Sequence, residues 1–270
     1  MTDAFSIHPD DLVVAFQPIY ELRDPRLRLQ GLEALVRGAE GTGLESADEL
    51  LGRARRESVE AAVDRACLQA VFASLTGISP PLDVSVNVHA STLGSDPDFP
   101  AFFFRLAEAH AVDLSRVTVE IVEQDRAGEA TLLLGNLLAL RRAGASVALD
   151  NVGLGYSNYR MMLDCTPDFL KVDRYLVTGC DRDLRRRAIL DSVFLLGARL
   201  GARVVAEGVE SLGELEFLSS LGLELFQGFL LCRPIPAADL RLGADSPALP
   251  GALSPLFLRE RSLGPAASGF

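Results

Sequence analysis

Along this chain, short apolar runs stop again and again on a carboxylate, an amide or an ammonium. Val84-Ser85-Val86 leads into Asn87, Val117-Thr118-Val119 into Glu120, and Val147-Ala148-Leu149 into Asp150. Phe169-Leu170 leads into Lys171 and Asp173, Val204-Val205-Ala206 into Glu207, and Leu225-Phe226 into Gln227. Runs this apolar and this short are what strands buried on both faces look like. Between most of them lies a stretch with helical spacing, long enough for a crossover that returns the chain to start a parallel strand. Parallel strands all end at the same edge, so the polar tips belong together in space.

Two earlier strands, predicted over 13–22 and 27–36, are separated by Arg23-Asp24-Pro25-Arg26. This connection is too short for a crossover helix, and its composition is that of a turn, so the pair reads as an antiparallel hairpin. Folding about the turn sets Gln17 opposite Glu33. With the hairpin included, the strands reach the number needed for a closed (β/α)₈ barrel, and a doubly wound open sheet is the competing architecture. Helical spacing over 47–75, broken near Arg56-Glu57-Ser58, predicts two helices, with Ser46 or Asp48 as cap. Further helices are predicted over 101–109, 129–143, 184–200 and 212–221, with a strand over 225–231. The barrel is expected over 1–240, and 241–270, rich in Ala, Leu, Pro, Gly and Ser, reads as a tail or docked segment.

Composition narrows the function. With 49% hydrophobic residues the 270-residue chain can bury a large core. A net charge of −11 argues against a nucleic-acid polymer as partner, but not against a small anion bridged by cations. The cysteines (Cys67, Cys165, Cys180, Cys232) show no zinc or disulfide spacing. Reduced thiols, no signal-like N-terminus and no apolar run long enough for a bilayer lead to the expectation of a cytoplasmic protein without a membrane segment. Arg185-Arg186-Arg187 reads as a solvated face, His89 as a bystander, and Met161-Met162 and Phe102-Phe103-Phe104 as packing.

In a barrel, Glu33, Asn87, Glu120, Asp150, Lys171, Asp173, Glu207 and Gln227 converge at one mouth, where active sites of this architecture sit. Singly, an acid there can cap a helix, Asn87 fix a turn and Lys171 close a salt bridge. Together, so many carboxylates repel one another unless cations neutralise them. Hard oxygen donors suit Mg²⁺, Mn²⁺ or Ca²⁺. The chemistry such a nest suits is metal-assisted hydrolysis of a phosphate ester.

Glu33-Ala34-Leu35, within Gly31-Leu32-Glu33-Ala34-Leu35-Val36-Arg37, resembles the signature of the EAL-domain family, which hydrolyses cyclic di-GMP. The resemblance runs in order through Phe16-Gln17-Pro18-Ile19, Val84-Ser85-Val86-Asn87-Val88, Val119-Glu120-Ile121-Val122-Glu123 and Leu170-Lys171-Val172-Asp173-Arg174. It continues through Val205-Ala206-Glu207-Gly208-Val209-Glu210 and Gln227-Gly228-Phe229 and covers roughly 12–240. It implies a TIM-barrel variant with an antiparallel first strand and linear pGpG as product. Glu33, Asn87, Glu120 and Asp150 match metal ligands, with Glu207 joining them and Asn151 in the second-metal position. Lys171 matches the lysine that acts on the nucleophilic water, alongside Glu33 and Glu207 in the catalytic set. Gln17, Leu35, Arg37 and Gln227 match the nucleotide groove, Glu123 a loop brace, and Asp173 and Glu210 auxiliary positions. A homodimer is implied by the family. No second signalling domain is legible, so control is expected to come from a regulatory protein partner, from oligomerisation or from abundance.

The sequence departs from the family at Asp150-Asn151-Val152-Gly153-Leu154-Gly155-Tyr156-Ser157. Two aspartates are usual there, followed by Phe-Gly-Thr-Gly-Tyr-Ser. Asn151 brings an oxygen without a charge, so the second cation is expected to bind more weakly. Three readings stay open: an active phosphodiesterase using Mg²⁺ or Mn²⁺, a receptor that binds cyclic di-GMP without cleaving it, and a scaffold that binds neither.

Overall fold

The computed structural model describes residues 7–23, 26–76, 82–122, 128–153 and 159–240. Glu123, the loop over 154–158, the turn at Asp24-Pro25 and the segment 241–270 lie outside the described residues.

The hairpin is present. Strand β1 (Leu12–Arg23) pairs antiparallel with β2 (Arg26–Gly38), and Gln17 lies directly opposite Glu33. From β2 the sheet continues in parallel through β3 (Val84–His89), β4 (Val117–Val122), β5 (Ser146–Val152), β6 (Phe169–Val172) and β7 (Arg203–Ala206) to β8 (Leu225–Phe226). Strand β8 then pairs antiparallel with β1, Tyr20 against Phe226, and the barrel closes. A closed barrel has no free edge, so the open-sheet alternative is set aside. A short β9 (Ile235–Pro236) pairs antiparallel with β1 at Ala15 and Phe16.

Helices fill the outer ring. Helices α1 (Ala47–Glu57) and α2 (Glu60–Leu75) break where the spacing predicted, and Ser46 caps α1 through a reciprocal pair of hydrogen bonds with Glu49. Helices α3 (Ala90–Ser95) and α4 (Phe99–Ala109) follow β3, and α5 (Ala130–Arg142) precedes β5. Then come α6 (Tyr159–Cys165), α7 (Arg174–Val177), α8 (Leu184–Leu200) and α9 (Leu212–Ser220). The core lies between strands and helices: Val119 and Ile121, either side of Glu120, are completely buried in it. Strand alternation thus sends Glu120 to the opposite face, the barrel interior.

Three sequence expectations need amending. The last strand stops at Phe226, because the chain then turns: the Gln227 carbonyl accepts the Val209 N–H, and the Leu230 N–H donates to the Val209 carbonyl. Helix α3 was not anticipated, being too short to show a period. The Arg185-Arg187 run is not simply solvated. Arg187 donates to the carbonyls of Cys180 and Asp181 and lies over the Phe217 ring at 4.8 Å, and Arg186 pairs with Asp183.

One buried acid ties the loops above β6 and β7 together. Glu214, 5% exposed, accepts the backbone N–H of Gly179 at 2.7 Å and those of Glu210 and Ser211 at 3.0 Å. A Glu214→Ala variant leaves these donors unsatisfied, each at a cost of roughly 1 kcal/mol or more. We expect a loss of about 3 kcal/mol in urea unfolding. A loss under about 1 kcal/mol would show that solvent replaces the carboxylate.

Candidate functional site

The polar tips do meet. Lys171, 1% exposed on β6, extends its ammonium into the barrel. There Nζ sits 2.6 Å from Glu120 Oε2, 2.6 Å from Glu207 Oε1 and 3.0 Å from Glu33 Oε2. Glu33 also accepts from Gln227 Nε2 at 2.7 Å and from Asn87 Nδ2 at 3.4 Å. Residues from five strands or strand ends are thereby locked around one cation.

Asp150 adjoins this cluster from β5. The β5–β6 register slips between Leu149 and Val152, and Asn151 takes a left-handed φ of 54°. This is a bulge, a device that re-aims side chains beside functional sites, and asparagine is among the residues that best tolerate such a backbone. Asn151 turns back on its neighbour: its backbone N–H donates to Asp150 Oδ1 at 2.8 Å and its side-chain amide to Oδ2 at 3.0 Å. On the next loop Gly208 has φ 67°, and a Cβ there would stand 2.3 Å from that of Arg174. Only glycine lets the chain after Glu207 pass so close to α7.

Electrostatics show the strain of so much like charge. Burial pushes the Glu120 carboxyl up to about 8; Lys171 opposes this and Glu33 and Asp150 add to it. Burial likewise holds Glu207 well above, and Asp150 above, the usual carboxylate range, again against the pull of Lys171. Glu33 goes the other way: burial is outweighed by Lys171 and by the hydrogen bonds from Gln227, Lys171 and Asn87. Lys171 itself, which burial alone would lower, is held well above its ordinary value by Glu120, Glu207, Glu33 and Asp150. One ammonium cannot neutralise this many carboxylates, so the cluster retains protons or demands a further cation.

A hard cation fits the donors present. The buried oxygens Asn87 Oδ1 and Glu120 Oε1, on residues paired across β3 and β4, have no hydrogen-bond partner. Among the described residues no three His, Cys, Asp or Glu side chains already form a metal cage, because Lys171 draws the acids onto itself. An ion here would therefore draw on amide as well as carboxylate oxygens, donors of the kind Mg²⁺, Mn²⁺ and Ca²⁺ take.

Above the cluster lies an open cleft with about 670 Å³ of free space, lined by Gln17, Glu33, Asp150, Asp173, Glu207, Glu210 and Gln227. Gln17 donates to the Cys232 carbonyl at 3.2 Å, and Asp173 caps α7 through the Tyr175 N–H at 2.6 Å. Leu35 and Arg37 line a different cleft, outside β2 and β3, together with Asn87. Not foreseen from sequence was the pairing of buried His89 with Asp64 on α2, Nδ1 to Oδ1 at 2.7 Å.

A family model described as EAL domain matches residues 2–234. The chain belongs to the EAL domain family. Among its relatives, the cyclic di-GMP phosphodiesterase NbdA of Pseudomonas aeruginosa is 32% identical over 241 residues, which are 87% of this chain and 30% of NbdA. The cyclic di-GMP phosphodiesterase RocR of the same organism is 34% identical over 162 residues, 60% of this chain and 41% of RocR. This EAL domain spans about a third of the length of the curated relatives it matches over most of its own length. Klebsiella pneumoniae BlrP1, solved with calcium and cyclic di-GMP, superposes with a TM-score of 0.74 at 30% identity, covering 88% of this chain and 59% of that one. The PaMucR phosphodiesterase, solved with cyclic di-GMP, gives a TM-score of 0.75 at 27% identity, covering 85% and 99%. BlrP1 has also been solved with manganese. Among the described residues, no helix is long and apolar enough to cross a membrane.

Proposed function

We propose that this EAL domain binds cyclic di-GMP across the cleft and, with Mg²⁺ or Mn²⁺, hydrolyses one phosphodiester to linear pGpG. The observation that carries the reading is the junction of Glu33, Glu120 and Glu207 on Lys171, beside the unpartnered Asn87 Oδ1 and Glu120 Oε1. Glu33, Asn87, Glu120, Asp150 and Glu207 would hold the cations, with Asn151 at the rim. Bound cations supply positive charge that activates water and offsets the charge of the phosphate. With no cation bound, the acids around Lys171 hold its ammonium well above its ordinary value, and it is placed to donate hydrogen bonds to water or to a phosphoryl oxygen. Gln17 and Gln227 offer amides to the nucleotide, which extends past Glu33 toward the neighbouring cleft, where Leu35 borders it and the Arg37 guanidinium suits a phosphate oxygen. Asp173 and Glu210 shape the wall. A cytoplasmic homodimer under the control of a regulatory protein partner completes the reading. Tyr159 and Leu163, exposed on α6, give a dimer something apolar to cover.

The test is formation of pGpG from cyclic di-GMP by the purified protein with Mg²⁺ or Mn²⁺. No turnover under any divalent cation rejects hydrolysis. The receptor reading rests on one observation: the Asn151 amide already satisfies Asp150, a job that otherwise falls to a cation. Cyclic di-GMP binding by calorimetry with Ca²⁺, without turnover under Mn²⁺, would favour it. Asn151→Asp restores the charge in a backbone conformation aspartate also tolerates. If charge is limiting, we expect kcat to rise about tenfold; an unchanged or lower rate would assign the limit to the loop.

A further inference from the structure

Among the described residues, β3 has a strand partner on both sides only in its first half. Its ladder to β4 runs from Val84 with Val117 to His89 with Val122 and sets Asn87 beside Glu120. Its ladder to β2 consists of Leu32 with Val84 and Glu33 with Ser85. Asn87, Val88 and His89 run on past the point where β2 parts from them. Asn87 meanwhile gives its amide N–H to Glu33 Oε1 at 3.4 Å and keeps Oδ1 buried and without a partner. A ligand atom is useful to an ion only if the groups around it hold it in place, and on the β2 side that support is missing from the sheet.

Helix α2 supplies it. Asp64 stands within that helix, 3% exposed, among the buried Val63, Ala66 and Leu68. Burying a carboxylate there is costly unless donors surround it. Three do: the His89 backbone N–H at 2.9 Å, His89 Nδ1 at 2.7 Å and Thr92 Oγ1 at 2.5 Å. The first holds the backbone of β3 two residues beyond Asn87, the second fixes the His89 ring, and the third ties on the start of α3. His89 and Thr92 are themselves buried, so water has no room to replace the carboxylate. One helical side chain thus takes the place of a neighbouring strand at the end of β3.

We propose that Asp64, acting through His89, is a positioning residue for Asn87: it holds the end of β3 so that Asn87 Oδ1 faces the cation beside Glu120. The cation in this statement rests on the hydrolytic reading above, whereas the anchoring of Asn87 does not. Asp64 and His89 act through the backbone, and no contact between them and the ion is required.

The experiment measures Mn²⁺ binding by calorimetry, and in EDTA the urea unfolding and the side-chain amide NMR signal of Asn87, for the whole protein and its variants. His89→Phe keeps a ring but removes the Nδ1 donor; a shifted Asn87 signal is expected, with Mn²⁺ bound about tenfold more weakly, as is usual when the support of a metal ligand is lost. His89→Asn returns a donor toward Asp64 and is expected to recover most of the affinity. Asp64→Asn leaves one acceptor oxygen for three donors and is expected to weaken Mn²⁺ at least as much as His89→Phe; should it fail to fold, the two His89 variants carry the test. Leu190→Ala, which opens a cavity under α8, is the control for lost stability and is expected to leave Mn²⁺ affinity and the Asn87 signal unchanged. An unchanged affinity and signal in His89→Phe overturn the proposal and leave Asp64 a packing role. Equal weakening in His89→Phe and His89→Asn, or in Leu190→Ala, overturns it too, because the donor is then not what matters. If the parent binds no Mn²⁺, the hydrolytic reading fails, and the Asn87 signal alone decides the anchoring.

Discussion

Lys171→Met is expected to be the most damaging single change at the site, and its cost is expected to depend on pH. Methionine keeps much of the length but removes the cation that, alone among the described residues, touches Glu33, Glu120 and Glu207. Breaking a buried ion pair from one side costs about 3–5 kcal/mol, because the remaining charge has neither water nor a partner. At pH 8 we expect a loss of that size in urea unfolding in EDTA, together with loss of any pGpG formation. At pH 5 the loss is expected to shrink, since the stranded carboxyls take up protons instead of staying charged. Mn²⁺ is expected to stabilise the variant more than the parent, replacing the missing positive charge. Equal losses at both pH values would mean that packing, not charge, is what Lys171 supplies.

The second large effect concerns the unmutated protein in EDTA. Glu120 titrates near 8 when folded and near 4.3 when unfolded, so between those values the folded state holds a proton that the unfolded state lacks. Stability from this group is full below the unfolded value and is lost as pH rises through the folded one, at up to about 1.4 kcal/mol per pH unit. Glu207 and Asp150, also raised, act in the same direction. Glu33 is lowered and opposes them, its contribution being present above its unfolded value and lost as pH falls. With Glu120, Glu207 and Asp150 outweighing Glu33, stability is expected to fall from pH 5 to pH 8. Saturating Mn²⁺ should flatten the profile, and Glu120→Gln should reduce its slope in EDTA. A stability that is flat or rises with pH in EDTA would show that the carboxyls are already ionised and compensated without a cation.

Much of the architecture was legible because it rests on local patterns. A run such as Val84–Val88 carries its own evidence of burial, and Arg23-Asp24-Pro25-Arg26 its own evidence of a turn, so the Gln17–Glu33 apposition could be read by counting along the hairpin. The last strand and α3 were not legible, because the first is cut short by backbone bonds to Val209 and the second is too short to show a helical period. His89 read as a bystander because its partner lies on α2, 25 residues away, and no spacing rule links the two.

The strand succession, the opening hairpin and the gathering of acids, amides and a lysine at strand ends are written in the local sequence, whereas closure into a barrel rests on the pairing of β8 with β1. Strand periodicity and connection length are properties of neighbouring residues and survive without a fold. How those side chains divide the space follows from the closed barrel. It set Lys171 among Glu33, Glu120 and Glu207, folded the Asn151 amide back onto Asp150, and placed Leu35 and Arg37 in a separate cleft. These outcomes depend on burial, on competition for one cation and on where β2 and β3 part. Each is a balance among groups far apart in the chain, and closing the barrel is what brings them within reach of one another.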